Sequence, residues 1–476
     1  MLSLVEISQA VRTGEKKAVD FLEDSLQRIA SRNEEINAFV FVDEPGARKQ
    51  AEIIDQKVAE GIDPGPMAGV PLGIKDLFED VKGMPTSQGS LFFKDQAPKE
   101  QDSVMVARLR AAGAVPVGKI ATAEFGVDGT GTTQAWGRVR NPWNLEASAG
   151  GSSGGSSAAV SAGMVPVCTG GDGGGSIRCP ASFCGLVGFK PSLGRIPRYD
   201  GFSDTTALGS LTVTVADTAR YLDVTVGPDD SDRMTLPKPE ICYETAMEDH
   251  DVAGLKAVWT DSFNGKVVDK EVAEIARAAA VKLCGEAGVT LQDQKTSFVN
   301  VTRAWTGMGA NSLKIWFEAD GYLPDRIDEL SRMPRWLIEA YRDQTPTDIH
   351  HHKGVLRTFE QEVAEFFRTA DLMLTPTVAT TAFGTDGPLP DVRDLLGSNV
   401  NLQDMLVDAW SKHSPFCMLA NFCWNPSISI PAGLTADGMP VGLMITARRH
   451  QDEVPLRLAR IHELTSPWPH RPEGYD

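Results

Sequence analysis

The stretch Gly150–Ser192 reads GGSSGGSSAAVSAGMVPVCTGGDGGGSIRCPASFCGLVGFKPS. Three readings of this glycine- and serine-rich block compete, and the choice between them sets the fold. A flexible linker would lack packing segments. Here Ala158–Ala162, Val165–Val167 and Leu186–Phe189 interrupt the polar residues and demand a core. A Walker-type phosphate loop needs Gly-Lys followed by a hydroxyl. The nearest Gly-Lys, Gly118-Lys119, is followed by Ile120, and the block contains no G-x-G-x-x-G. The third reading is a nucleophile cradled by main-chain amides. Gly170-Gly171-Asp172-Gly173-Gly174-Gly175-Ser176 can curl tightly, because glycine reaches positive φ without strain. Successive N–H groups in such a curl converge and can hold an oxyanion. Ser176 then opens a helix expected over Ile177–Cys184, whose positive end favours developing negative charge.

A serine nucleophile needs a base. All eight histidines lie at His250 or beyond, outside this part of the chain. A lysine serves if it is neutral. Lys75 closes the apolar run Val70-Pro71-Leu72-Gly73-Ile74, where loss of water would lower its pKa towards working pH. Taken alone, a lysine at that place reads more readily as a strand-end charge.

Working outward, Ser3-Leu4-Val5-Glu6 fits a capping box ahead of a short helix to about Val11, and Phe21–Ile29 carries a second apolar stripe. Strands are expected at Phe39–Val42, Val70–Ile74 and Val115–Gly118, with a helix over Ser103–Ala112 between the last two. Further on, Ala253–Trp259, Val289–Leu291 and Leu372–Leu374 read as strands, and Glu271–Ala287 and Val355–Thr369 as helices. Ile428–Ile430 and Val441–Ile445 flank the turn Ala436-Asp437-Gly438 and read as a hairpin. Strands and helices alternate, so the class is α/β. No linker divides residues 1–476, and a single domain is expected, with its central block at about 65–215.

The block resembles the amidase signature, which runs GGSSGG, then a GTDxGGSIRxPA-like turn, then G-x-x-G-x-KPS/T. Flanking words resemble the same family: GVPLGIKD around Lys75, EFG at Glu124–Gly126, WGRVRNPWN at Trp136–Asn144, LTPT at Leu374–Thr377, and NPSISIPAGLTADGMPVGL at Asn425–Leu443. The resemblance implies an α/β fold with a mixed central sheet covered on both faces by helices. It implies an amidohydrolase that cleaves a carboxylic amide through a serine acyl-enzyme, acting on linear amides with neither metal nor cofactor. By motif position, Lys75 corresponds to the general base, Ser152 to the bridging serine and Ser176 to the nucleophile. The amides of Gly173, Gly174, Gly175 and Ser176 correspond to the oxyanion hole, and Asp172 and Arg178 to a pair that braces the loop. Three positions depart from the family: Gly171 stands where Thr or Ser is usual, Trp424 where a small residue is common, and Met444 where Gln is frequent. The indole of Trp424 is expected to narrow an apolar acyl pocket, with Phe125 and Trp316 as further walls and small hydrophobic or aromatic amides as substrates.

Rivals fall to specific features. Gly150-Gly151-Ser152-Ser153-Gly154 satisfies the G-x-S-x-G of α/β-hydrolases, but Asn141–Ala149 is polar and contains proline where the nucleophile elbow needs an apolar strand. The glutamine-hydrolysing component of the tRNA amidotransferase, its A subunit, carries the same signature. The divergent stretch at about 295–345 and Trp424 lean towards a free-standing hydrolase. The net charge of −18 repels phosphate backbones and argues against nucleic acid as a partner. No signal peptide or membrane-spanning run is visible, so a cytoplasmic protein is expected, and a homodimer is compatible with the sequence. The seven cysteines form no C-x-x-C pair and read as reduced, buried thiols. His350-His351-His352 reads as a solvated polar patch rather than a metal site, since consecutive helical residues point in different directions. Trp305, Trp316, Phe317 and Trp336 read as core packing, with a pocket wall as the alternative.

Overall fold

The apolar runs become strands of one sheet. A computed structural model describes residues 2–198, 203–263 and 268–475. Its strands are β1 (Phe39–Val42), β2 (Pro71–Lys75), β3 (Val115–Ile120), β4 (Arg140–Asn141), β5 (Asn144–Ser148), β6 (Val167–Asp172), β7 (Val187–Lys190), β8 (Ala207–Thr212), β9 (Lys256–Trp259), β10 (Thr290–Asp293), β11 (Leu372–Pro376), β12 (Ser427–Leu434) and β13 (Pro440–Ala447). Eleven of them form a sheet in the order β1-β3-β2-β6-β8-β7-β12-β13-β11-β9-β10, and β4 and β5 make a separate ribbon. The sheet is mixed: β3, β2 and β6 run parallel, as do β11, β9 and β10, and the strands between pair antiparallel. Every residue of β2, β3, β6, β7, β8, β11 and β13 is buried. Strands buried along their whole length need cover on both faces, and helices supply it. Strands from both ends of the chain therefore share one core.

Local signals behave as the sequence suggests. Ser3 and Glu6 form the capping box of helix Leu4–Arg12. The stripe at Phe21–Ile29 lies within a longer helix, Ala18–Ile36, and Val355–Thr369 within Pro346–Thr369, which a Thr345–Asp348 capping box starts early. β12 and β13 form the expected hairpin, with Gly438 at φ +81° in its turn. Sequence patterning gives no hint of helix Gly154–Ser161, because glycine and serine are poor helix formers. Tertiary contact overrides that preference. The helix is wholly buried, and its small residues allow close approach: the Ser156 hydroxyl donates to the Thr169 carbonyl and Ser157 to that of Ala149.

The divergent stretch builds a second apolar cluster. Helices Thr302–Ala319 and Arg332–Ala340 pack there with Phe92, Phe93 and Phe125. Phe317 and Trp336 are fully buried core residues, as expected. His352 differs from expectation: it is buried against Gly307, whereas His350 and His351 are exposed. Among the described residues, no group of three or more His, Cys, Asp or Glu could hold a metal ion, and no helix is long and apolar enough to cross a membrane.

Two glycines test the packing that seats the central block. A Cβ on Gly188 of β7 would lie 2.4 Å from the Ala181 Cβ, in the helix that follows Ser176. Gly188→Ala should destabilise by about 1–3 kcal/mol through overpacking. Gly285, inside helix Lys270–Ala287, has nothing within 4 Å of such a Cβ. Gly285→Ala should instead stabilise, by about 0.5–1 kcal/mol through helix propensity. Urea unfolding midpoints of the two variants, moving in opposite directions, check both statements.

Candidate active site

Lys75 ends β2 and Asp172 ends its parallel neighbour β6, so both project from the carboxyl ends of strands, where open α/β sheets place their sites. The Lys75 main-chain N–H donates to the Thr169 hydroxyl at 2.9 Å, which fixes the strand end. Its Nζ is fully buried, 2.8 Å from Ser152 Oγ, 2.9 Å from Ser153 Oγ and 3.3 Å from the Gly171 carbonyl. Burial pushes the amine down to about 8; the Glu79 and Asp172 carboxylates oppose that shift, and Arg198 adds to it. Ser152 follows a cis Gly151–Ser152 peptide and is buried, as is Ser153.

The loop between β6 and helix Arg178–Phe183 is held by one carboxylate. Asp172 Oδ1 accepts from Gly175 N (2.7 Å), Arg178 Nη2 (2.9 Å) and Asn421 Nδ2 (2.9 Å). Its Oδ2 accepts from Ile177 N (3.1 Å), Arg178 N (3.3 Å) and Arg178 Nε (2.9 Å). Burial alone would raise this carboxyl; the charge and hydrogen bonds of Arg178, with Asn421, outweigh it and hold Asp172 well below the usual carboxylate range. The pairing expected of Asp172 and Arg178 is thus present, fully buried, and completed by Asn421. Nothing in the sequence singled out Asn421.

The same bonds correct the expected cradle. The Gly175 N–H is directed at Asp172, not into open space, because its φ of +124° turns the peptide inward. The amides of Gly173, Gly174 and Ser176 have no hydrogen-bond partner among the described residues, and all three residues line a cavity of about 390 Å³. A Cβ on Gly174 would sit 2.5 Å from the Trp305 ring and displace it. Gly171 carries no such demand, since a Cβ there would meet nothing closer than 3.6 Å. The Ser176 carbonyl accepts from the Ser153 N–H at 3.2 Å, tying the loop to the Ser152 turn.

The cavity's other walls are mostly apolar. Phe125 and Trp316 line it, and Trp305 joins them with Leu313, Leu337 and Phe422. Trp305 and Trp316 are therefore wall residues, unlike their neighbours Phe317 and Trp336. Trp424 is not on this wall, contrary to expectation. It takes the left-handed φ of +61° just after helix Met418–Phe422, a conformation that suits the small residue common in the family. Its indole faces a second cavity with Phe367, Arg448 and Arg449, and Nε1 donates to the Asp204 carbonyl. Met444 stands with its sulfur 3.4 Å from Arg178 Nη1. One further group escaped the sequence reading: Glu79, four residues after Lys75, is fully buried, and its Oε1 has no hydrogen-bond partner among the described residues. Burial raises its carboxyl, while Lys75 and Lys119 draw it down.

The elbow reading also meets a structural answer. A strand, β5, does precede Ser152, but it belongs to the two-stranded ribbon outside the main sheet. Ser152 lies buried against Lys75 rather than exposed at a strand-to-helix tip.

Comparison with known proteins gives the family. The amidase family profile matches residues 20–456. The chain is 34% identical to an acylamidase of Rhodococcus erythropolis, covering 98% of this chain and 96% of that protein. It is 35% identical to the A subunit of the glutamyl-tRNA(Gln) amidotransferase of Synechococcus sp. (strain RCC307), over 96% of each. It superposes on a bacterial aryl acylamidase of the amidase signature enzymes with a TM-score of 0.87, at 27% identity, covering 98% of this chain and 96% of that one. With the profile spanning nearly the whole chain and the mixed sheet shared, this protein belongs to the amidase signature family and is an amidohydrolase that acts on carbon–nitrogen bonds.

Proposed function

We propose that Ser176 is the nucleophile, Ser152 the proton bridge and Lys75 the general base. The contact that carries this reading is the 2.8 Å approach of Lys75 Nζ to Ser152 Oγ in a fully buried position. A neutral amine has two N–H groups and one lone pair. The Gly171 carbonyl and Ser153 Oγ can take the two hydrogens, leaving the lone pair to accept the Ser152 proton. Ser152 in turn takes the proton of Ser176 as its Oγ attacks the amide carbonyl. The amides of Gly173, Gly174 and Ser176 bind the developing oxyanion. The proton returns through Ser152 to the leaving amine, and water then hydrolyses the acyl-enzyme by the same relay.

The substrates that fit best are hydrophobic or aromatic linear amides. A cavity of about 390 Å³ walled by Phe125, Trp305, Leu313 and Trp316 has room for a ring-bearing group. Similarity to an acylamidase and an aryl acylamidase supports the same class. The similarity to the amidotransferase component favours a second reading, glutamine hydrolysis inside a complex. Turnover of aryl amides by the purified chain alone supports the first reading. Activity on glutamine that requires partner proteins supports the second.

Two outcomes follow for the relay and the pocket. Lys75 works when neutral, so kcat/KM should rise with pH through about 8 as the amine loses its proton. Lys75→Ala should lower kcat by about 10²–10⁴ and remove that rise. A retained pH dependence in Lys75→Ala would assign the ionisation elsewhere. Trp316→Ala should improve kcat/KM for a bulky amide relative to a small one by about tenfold, whereas Trp424→Gly, off the wall, should leave the ratio unchanged.

A further inference from the structure

Two cysteines meet behind the glycine loop. Cys179 Sγ lies 3.5 Å from Cys417 Sγ, and both thiols are free and buried. Cys179 comes one turn after Ser176, and its N–H donates to the Gly175 carbonyl at 2.8 Å. Cys417 precedes helix Met418–Phe422 and contacts the Thr377 carbonyl at 3.4 Å. Gly175 is wedged between the two. A Cβ there would fall 2.8 Å from Cys179 Sγ and 2.8 Å from Cys417 Cβ, so only glycine leaves both sulfurs seated against the loop. Cys179 also lines the Ser176 cavity, which gives a small oxidant a path to its sulfur.

We infer that Cys179 and Cys417 form a thiol pair that hydrogen peroxide closes into a disulfide, distorting the Ser176 loop. The Cys179 thiol is favoured as the first to react. Its hydrogen bond with Cys417 is the largest influence lowering it, helped by the Ser414 hydroxyl and the Arg178 charge against burial, while Cys417 is raised. In the first step the Cys179 thiolate attacks one peroxide oxygen, the O–O bond breaks, and the departing hydroxide takes a proton to become water. The product is a sulfenic acid on Cys179. In the second step Cys417 gives up its proton, its sulfur attacks the Cys179 sulfur, and the S–O bond breaks to release a second water. The two sulfurs lose two electrons, and the peroxide gains them. The sulfurs must then close from 3.5 Å to about 2.05 Å. That contraction pulls the turn carrying Ser176 towards Cys417 across Gly175. Displacements of about 1 Å in a reacting centre can cost 10²-fold. Dithiothreitol should reopen the bond. The loss of activity rests on Ser176 being the nucleophile, but the disulfide itself does not.

The test treats the whole protein with hydrogen peroxide and follows three readouts: intact mass, a non-reducing peptide map, and turnover of an aryl amide before and after dithiothreitol. The expected result is loss of two hydrogen atoms, a Cys179–Cys417 crosslinked peptide, and a fall in kcat/KM of about tenfold or more that dithiothreitol reverses. Cys417→Ser should keep its activity and form no crosslink, its oxidation stopping at the Cys179 sulfenic acid or passing to higher oxides. A map showing both cysteines free, or Cys179 over-oxidised without a crosslink, would overturn the pair. If Cys417→Ser does not fold, the wild-type peptide map alone decides. A crosslink without any change in amide turnover would leave the disulfide standing and refute its control of Ser176.

Discussion

The Asp172 carboxylate, taken wholly out of water, receives three donors on each oxygen and has Arg178 as its counter-charge. Burying the pair carries a desolvation cost that only such complete satisfaction offsets, and breaking a pair of this kind typically costs about 3–5 kcal/mol. What the pair secures is a shape. Gly175 is turned inward, and the amides of Gly173, Gly174 and Ser176 are left facing the cavity. Asn421 extends the bracing to the far part of the chain, bonding the Asp172 carbonyl and the Arg178 guanidinium together. Residues some 250 positions apart are thereby locked to one loop, through the short helix Met418–Phe422 that precedes β12.

Lys75 uses burial in the opposite sense. Asp172 is held charged by a partner; among the described residues no carboxylate lies within direct hydrogen-bond reach of Lys75 Nζ, and desolvation dominates and favours the neutral amine. The more distant Glu79 and Asp172 charges temper the shift and keep the amine near working pH. A base with a value near ambient pH is the efficient choice for moving a proton from a hydroxyl.

Much of this was legible in the sequence, and the reasons differ by element. Strands β2, β3 and β11 announce themselves as apolar runs with clean boundaries, and the β12–β13 hairpin by its Ala-Asp-Gly turn. The glycine run around Asp172 reads as a cradle because few other uses fit so many glycines beside a serine. Helix Gly154–Ser161 is hidden because its stability comes from burial rather than propensity. The direction of the Gly175 amide and the role of Asn421 depend on long-range hydrogen bonds that no spacing encodes. Trp424 misleads for a related reason. Its neighbourhood in the sequence borders the site, but its positive φ sends the indole to a different cavity. Trp305 and Phe317 share one helix and one composition, and only the helix's rotation decides that one is wall and the other core.

The proposed nucleophile is the serine on the braced glycine loop. That assignment is tested most directly by inactivating the enzyme with a phenyl-substituted sulfonyl fluoride and locating the modified residue by peptide mass mapping. A single adduct on Ser176 is expected, formed at a rate that rises with pH through about 8 and is strongly slowed in Lys75→Ala. An adduct on Ser152 in the active wild-type protein would contradict it.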